Sequence, residues 1–146
     1  MSSIGFYHLT RTGPDQALPA LLGRTLGARE RAVVVCGTEQ RVDSLDRALW
    51  ECKDPAWLPH GTPRTGNADL QPIWLTTTEE RPNGARFLFL LDGAESADVA
   101  AWARVFDLFD GNDAASVEKA RHRWSAARAA GHELTYWRQG ERGWSK

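Results

Sequence analysis

The sequence predicts an α/β fold of three layers, with a mostly parallel central sheet between helices. Strand-like and helix-like segments alternate through the first 50 residues, which is the order of elements in an α/β sheet. Residues 32–36, Ala-Val-Val-Val-Cys, form a continuous apolar run, as expected of a strand buried on both faces of a parallel sheet. A chain of 146 residues can bury roughly 68–70% of its unfolded surface, so residues 1–146 are predicted to form a single domain.

The first strand and the first helix are predicted from different periodicities. Apolar and aromatic residues predominate over residues 4–9, which indicates a strand. Leucines recur at helical spacing over residues 16–27, and Asp15 stands where a helix N-cap is expected. Pro19 would fall in the first turn of this helix, where its missing backbone N–H is tolerated.

A second helix and two further strands are predicted in the middle of the chain. The helix spans residues 39–51, and its inner stripe consists of Val42, Leu45 and Leu49. Residues 61–69 are rich in Gly, Pro, Thr and Asn and predict an exposed loop. Strands follow at 72–76 and 86–92, and the second is apolar enough to lie at the centre of the sheet.

The last third of the chain is predicted to contain two helices and two strands. Apolar residues at helical spacing indicate a helix over 96–104, which runs into a short strand over 105–109. A long helix over 114–130 and a final strand over 134–139, placed at an edge of the sheet, complete the fold. The ends of the long helix are marked by an N-cap and a C-terminal glycine, Asp113 and Gly131.

The motifs of nucleotide binding and of common hydrolases are absent from the sequence. The turn after the first strand, residues 10–14, holds a single glycine, and neither a P-loop nor a G-x-S-x-G elbow occurs. Cys36 and Cys52 lack the spacing of a zinc site, so we predict no metal and no cofactor. A small nucleotide-binding or hydrolytic enzyme that uses Cys36, His60 or Asp107 remains the alternative class.

The charge pattern limits the classes of partner. A formal net charge of -1 argues against nonspecific binding of nucleic acid, although residues 119–146 are locally basic. Direct binding of single-stranded DNA by this basic end and its tryptophans is a third possibility, since bases stack on indoles. No apolar run approaches the ~20 residues that cross a bilayer, so we expect a cytoplasmic protein without membrane contact.

Two tryptophans surround a proline-containing turn in a segment, residues 50–60, that we name the indole corner. Trp50 ends the second predicted helix, and Trp57 stands directly before Leu-Pro-His. These indoles would be buried as a staple between helix and loop, given the high average burial of tryptophan. Alternatively they would be exposed as an apolar knob for a partner, because tryptophan is enriched in binding hot spots.

The last predicted helix carries arginines around a third indole. Arg121, Trp124 and Arg128 are spaced i, i+3 and i+7, so they lie along one side of the helix, with Ser125 beside them. Two guanidinium groups around an indole suit a partner that has both carboxylates and an aromatic ring. Equally, Trp124 would belong to the core, with solvated arginines on either side.

Several segments, taken in order over essentially the whole chain, resemble the chi subunit family of bacterial DNA polymerase III. The segments are Phe6-Tyr7-His8-Leu9, Leu45-Asp46 followed by Leu49-Trp50, Trp57-Leu58-Pro59-His60, Gln71-Pro72-Ile73, Phe109-Asp110-Gly111, Ala120-Arg121 followed by Trp124, and Gly143-Trp144. The resemblance implies an accessory protein without catalysis, folded like a nucleotide-binding domain but lacking the phosphate loop. It also implies a bridge, indirect to DNA, between the clamp-loader complex and single-stranded-DNA-binding protein.

The resemblance further implies two binding surfaces. Trp50, Trp57 and Pro59 would face the psi subunit of the clamp loader, and a helicase-like repair protein would compete there in some bacteria. The other surface would bind the acidic, Phe-ended C-terminal tail of single-stranded-DNA-binding protein.

The tail surface is implied residue by residue. Arg121 would pair with the terminal carboxylate beside the aromatic Trp124. Arg128 would lie one turn further on, and Phe109 would form a pocket wall. Ser125 departs from the pattern, because some relatives have Lys there, which would shift charge onto Arg128 or its neighbour Arg123.

Overall fold

Eight strands form one mixed sheet in the computed structural model, which describes residues 2–53, 58–140 and 143–145. The strands are β1 (Ser3–Leu9), β2 (Ala32–Val35), β3 (His60–Gly61), β4 (Ile73–Thr76), β5 (Phe87–Leu90), β6 (Arg104–Asp110), β7 (Glu133–Gly140) and β8 (Gly143–Ser145). The helices are α1 (Pro14–Gly27), α2 (Glu39–Glu51) and α3 (Ala114–Ala129), with short 3₁₀ turns at Ala68–Leu70 and Val99–Ala101.

The strands lie in the order β3-β4-β2-β5-β6-β1-β7-β8. All neighbouring pairs are parallel except β7 and β8, which are antiparallel. β1 and β6 are neighbours, yet the chain leaves them in opposite directions along the sheet. From β1 it crosses through α1 to β2, and from β6 it crosses through α3 to β7.

Each face of the sheet packs against its own helices. α1 and α2 bury leucines such as Leu18 and Leu45 in one apolar cluster, whereas α3 packs through Ala120 on the opposite cluster. β2 sends Val34 into the first cluster and Val33 into the second, which is why its sequence is apolar throughout. The prediction of a three-layer α/β fold with a mostly parallel sheet is therefore confirmed.

The predictions for α2 and α3 are confirmed almost to the residue. α2 spans Glu39–Glu51, and its predicted inner residues are all buried. Asp113 caps α3 by accepting a hydrogen bond from the backbone N–H of Ser116, at 3.3 Å from nitrogen to oxygen. Gly131 follows α3 with φ at 83°, a left-handed conformation that glycine adopts without steric cost.

The predicted start of α1 is wrong by two residues. The helix begins at Pro14, with Gly13 as its N-cap, because the Gln16 side chain accepts a hydrogen bond from the Gly13 backbone N–H. Asp15 is not a cap, and its carboxylate lies 3.3 Å from the Arg41 guanidinium. Since the helix starts earlier than predicted, Pro19 lies beyond the first turn, inside the helix.

The helix predicted over residues 96–104 is also wrong, since only a 3₁₀ turn forms at Val99–Ala101. Glu79 holds this segment instead. Its carboxylate accepts hydrogen bonds from the Ser96 hydroxyl, the Ala97 backbone N–H and the Trp102 indole N–H, the last two at 2.8 Å. Trp102 is buried with its polar atom satisfied, so these tertiary hydrogen bonds replace helical ones.

Two segments differ from the predicted loop and edge. Inside the loop expected over 61–69, Gly61 ends the short strand β3, and residues 68–70 form a 3₁₀ turn. β7 is an edge strand over only part of its length, because β8 pairs in antiparallel fashion with its last residues, 138–140. A two-residue strand such as β3 carries no alternating pattern that a sequence can reveal.

α3 is fixed to the sheet by a buried ion pair. Asp107 lies in the middle of β6 and is 3% exposed. The Arg123 guanidinium donates to both of its carboxylate oxygens, at 2.6 Å from Nε and 3.0 Å from Nη2. Burial raises the pKa of Asp107, and the two hydrogen bonds from Arg123 oppose that rise. Asp107 and Arg123 thus supply each other's hydrogen-bond partner and opposite charge in the buried site.

Arg123→Met is expected to lower the free energy of unfolding by about 3–5 kcal/mol, because it leaves the Asp107 carboxylate buried without a partner. Chemical denaturation followed by tryptophan fluorescence measures this change. Arg121→Met is the matched control on the same helix, since the Arg121 side chain is 77% exposed. It should change stability by less than about 0.5 kcal/mol. Equal effects of the two substitutions would contradict the anchoring role of Arg123.

Glu79→Gln is expected to reduce stability at neutral pH by about 1 kcal/mol, because an amide accepts fewer hydrogen bonds and the site is partly screened by water. Burial raises the pKa of Glu79, but hydrogen bonds from Ser96, Trp102 and the neighbouring backbone outweigh it and lower the pKa below its usual value. The carboxylate therefore stabilises the fold above the usual glutamate pKa and loses that effect as pH falls through the lowered value. Denaturation curves at decreasing pH should converge for wild type and variant; a constant difference would refute this assignment.

Candidate functional site

A groove runs beside α3 on the face of the sheet formed by β6, β1 and β7. It encloses about 200 Å³. Its lining residues are Phe6, His8, Phe109, Val117, Ala120, Arg121, Trp124 and Tyr136. We name it the α3 groove; five of these eight residues carry aromatic rings, so the groove offers an apolar, flat-walled space.

The groove arises from two simple periodicities. Phe6 and His8 are two residues apart in β1 and therefore point to the same face of the sheet. Residues 117, 120, 121 and 124 of α3 lie on one side of the helix, three or four residues apart. Ala120 is buried where the helix approaches the sheet, and Trp124 packs edge-on against Phe6 with ring centroids 5.1 Å apart. Ala120 is too small to fill the space beside the helix, and Trp124 packs against Phe6 as one wall of that space.

A single strong cation stands in the lining of the α3 groove. The Arg121 side chain is largely exposed, and its guanidinium lies 4.0 Å from Glu118 on the same helix. An exposed contact of this length contributes little, so the guanidinium can bind an anionic group of a ligand.

The structure brings together three of the five residues predicted for the tail surface. Phe109, Arg121 and Trp124 all line the groove. Arg128 is exposed two turns after Arg121, hence on the same side of α3 but outside the lining. Ser125 is also exposed and outside the lining. Their roles in binding stay predictions.

One expectation about charge is wrong. Arg123 was a candidate to replace the cation that Ser125 lacks, but its side chain is buried against Asp107. Arg128 is therefore the remaining candidate among those two arginines.

Sequence reasoning missed five residues of the groove: Val117 and Ala120 on α3, and the strand residues Phe6, His8 and Tyr136. The three strand residues come from β1 and β7, whose parallel register sets Phe6 opposite Tyr136. About 130 residues of sequence separate these partners, so local spacing carries no sign of their contact. The alternation of Phe6 and His8 in the first strand was the available signal that both share one face.

The described residues of the indole corner lie at the end of α2 and around β3, at the other end of the sheet order from the groove. Trp50 is 65% exposed, which favours the knob over the buried staple for this residue. Its ring lies 4.8 Å from that of His60 in β3, which is buried. His60 is held on both sides, with Nδ1 2.7 Å from the Leu58 carbonyl and Nε2 2.9 Å from Asp46. Pro59 is half-buried, and Trp57 lies outside the described residues.

A larger crevice of about 710 Å³ opens at the carboxyl ends of β1 and β6. This is where ligands bind in many α/β domains, because α1 and α3 leave the sheet there in opposite directions. Here the chain's own side chains engage the backbone donors that a phosphate would use. Gln139 accepts from the N–H groups of Arg11 and Thr12, at 2.9 and 3.1 Å, and Gln16 accepts from that of Gly13.

Two partly buried cations of the crevice are engaged as well. Arg41 pairs with Asp15 and Asp92, and Arg123 with Asp107. The crevice thus resembles a nucleotide site in position, but the chain itself already occupies these donors.

The residues proposed for an enzyme belong to different parts of the sheet. Cys36 directly follows β2, His60 is in the outermost strand β3, and Asp107 is in β6. Burial raises the pKa of Cys36 to about 12, so at neutral pH it is a thiol rather than a nucleophilic thiolate. Among the described residues, no cluster of His, Cys, Asp and Glu could hold a metal ion. No helix in the described part of the chain is long and apolar enough to cross a membrane.

Comparison with known proteins identifies relatives of one kind. A family model described as DNA polymerase III chi subunit, HolC, matches residues 1–135. DNA polymerase III subunit chi of Escherichia coli (strain K12) is 27% identical over 106 residues, which cover 72% of this chain and 71% of that protein. Probable DNA polymerase III subunit chi of Rickettsia prowazekii (strain Madrid E) is 23% identical over 109 residues, which cover 73% and 66%.

Among solved structures, the C-terminal part of the Fun30 ATPase domain aligns with this chain with a TM-score of 0.49 at 17% identity. The alignment covers 74% of this chain but only 43% of that one, and nothing about fold or function follows from it.

Proposed function

Because this chain belongs to the DNA polymerase III chi subunit family, we propose that it is a non-catalytic adaptor of the clamp-loader complex. Family membership supports an accessory role in DNA replication within the polymerase holoenzyme. The adaptor holds the acidic, Phe-ended tail of single-stranded-DNA-binding protein at one surface and the psi subunit at another. It therefore meets DNA through its partners rather than directly.

The α3 groove carries the tail proposal. An aromatic side chain at the end of a peptide fills the space between Phe6, Phe109 and Trp124. The terminal carboxylate, attached to the same residue, then reaches the exposed Arg121 guanidinium at the rim. Arginine binds carboxylates through two parallel hydrogen bonds, so a C-terminal residue satisfies both the apolar walls and the charge.

Acidic residues further up the tail meet two more cations near the groove. Arg128 is exposed on the same side of α3 as Arg121. Arg138 is exposed in β7, two residues after Tyr136 and therefore on the same face of the sheet. These exposed charges are screened by salt, so affinity for the tail falls as ionic strength rises.

The indole corner supports binding of the psi subunit. Trp50 is a large apolar side chain that is mostly exposed, and the buried, doubly hydrogen-bonded His60 supports its ring. Pro59 and Trp57 extend the same surface in our proposal, and a helicase-like repair protein competes with psi there.

The two surfaces lie apart in the fold. The corner belongs to α2 and the outermost strand β3, whereas the α3 groove lies over β6, β1 and β7 on the opposite face. The two proposed surfaces share no residue, so we expect both partners to bind at the same time.

Arg121→Ala is expected to weaken binding of an acidic, Phe-ended tail peptide by about 1.5–3 kcal/mol, because a charged hydrogen bond to the carboxylate is lost. Isothermal titration calorimetry measures the affinity, and the melting temperature should stay near that of wild type. Arg24→Ala, an exposed arginine on α1, is the matched control and should bind normally. Unchanged affinity of the Arg121 variant would remove this residue from the site.

Trp50→Ala is expected to lose the psi subunit while keeping the tail peptide, because truncating a central aromatic anchor typically costs about 2 kcal/mol or more. A pull-down with purified psi subunit and calorimetry with the tail peptide measure the two activities. Arg121→Ala is the reciprocal control, since it should lose the peptide and keep psi. A variant that loses both partners at an unchanged melting temperature would contradict two separate surfaces.

A further inference from the structure

We propose that His8 sets the depth of the α3 groove and thereby selects one phenylalanine-sized ring as the last side chain of the bound tail. The inference rests on the proposed function, because it concerns the ligand of the same groove. It assigns a specificity-determining role to a residue that lies on the sheet rather than on α3.

The His8 ring is held in place from two sides. Its Nδ1 atom shares a hydrogen bond with the Tyr136 hydroxyl, and the two rings meet edge-on with centroids 5.9 Å apart. The imidazole also packs at 4.9 Å and 32° on Phe109. Both neighbours line the groove themselves, so His8 joins its β6-side wall at Phe109 to its β7-side wall at Tyr136.

Gly111 leaves the space that the His8 ring occupies. A Cβ atom at this position would lie 1.9 Å from His8 Cδ2 and 2.2 Å from Nε2, so only glycine allows the imidazole to pack here. The Gly111 backbone is itself fixed, because its N–H donates to the Leu9 carbonyl at 2.7 Å. The imidazole thus lies between this backbone, Phe109 and Tyr136, and in our proposal it closes one end of the groove.

The walls favour a flat ring over a branched aliphatic side chain. Phe6 and Trp124 pack edge to face, and His8 and Phe109 present further ring surfaces to the same space. Aromatic pairs gain energy beyond the area that they bury, whereas leucine gains only burial. A tryptophan ring is larger and would meet the closed end at His8. Phenylalanine should therefore bind better than either alternative.

The test compares three peptides that are identical except for a last residue of Phe, Leu or Trp. Wild type should bind the Phe peptide most tightly. His8→Ala removes the closed end, so the affinity for the Trp peptide relative to the Phe peptide should rise roughly tenfold, the scale of discrimination by shape in an apolar pocket. A merely structural role of His8 would weaken all three peptides by the same factor.

Tyr136→Phe is the second variant, because it keeps the ring and removes only the hydroxyl that holds His8. Without this bond the imidazole is less restrained. The affinity for the Trp peptide relative to the Phe peptide should therefore rise, as in His8→Ala, but by less. His122→Ala is the matched control, since His122 is exposed on the other flank of α3 and should leave the ratio unchanged.

The outcomes separate the two levels of the proposal. If wild type binds no Phe-ended peptide, the proposed function fails and this inference fails with it. If wild type binds the Phe peptide but both variants keep its affinity ratios for the three peptides, the role of His8 is refuted while the proposed function stands. Melting curves show whether each variant is folded, and if His8→Ala does not fold, the ratio measured for Tyr136→Phe decides the question.

Discussion

The position of α3 depends on one buried ion pair, and the candidate site depends on the position of α3. Only Ala120 of this helix is fully buried, so the apolar contact between α3 and the sheet is small. The bidentate contact between Arg123 and Asp107 adds a second, directional attachment of the helix to the sheet. Such a pair contributes little net energy compared with an apolar contact, but it accepts only one geometry. It therefore determines where Arg121 and Trp124 stand relative to the strands, and with them the width of the groove.

Local patterns in the sequence predicted the parts of this fold that local forces decide. α2 has a clean apolar stripe and a threonine cap, and its predicted span is the observed one. The segment at 96–104 has apolar residues at helical spacing too, yet hydrogen bonds to Glu79 hold it in another conformation. Glu79 lies about 20 residues away in sequence, so no window around the segment reveals it.

The candidate site shows the same division. Phe109, Arg121 and Trp124 were identified from helical spacing and from family resemblance, and they do meet in one groove. The other wall comes from β1 and β7, whose pairing joins the two ends of the chain and follows from topology alone. The role of Arg123 was misjudged because the sequence does not say that Asp107, between Val105 and Phe109 on the same face, lies beneath α3.

The shortness of the outer strands has a consequence for assembly. β3 comprises two residues and β8 three, and within the described sheet β8 pairs only with residues 138–140 of the eight-residue β7. A long open margin invites another chain to extend the sheet, whether a partner's strand or a second copy of the same protein. The short outer strands thus limit sheet extension at the β3 margin, and at the other margin they leave the first part of β7 as the stretch where a further strand has room.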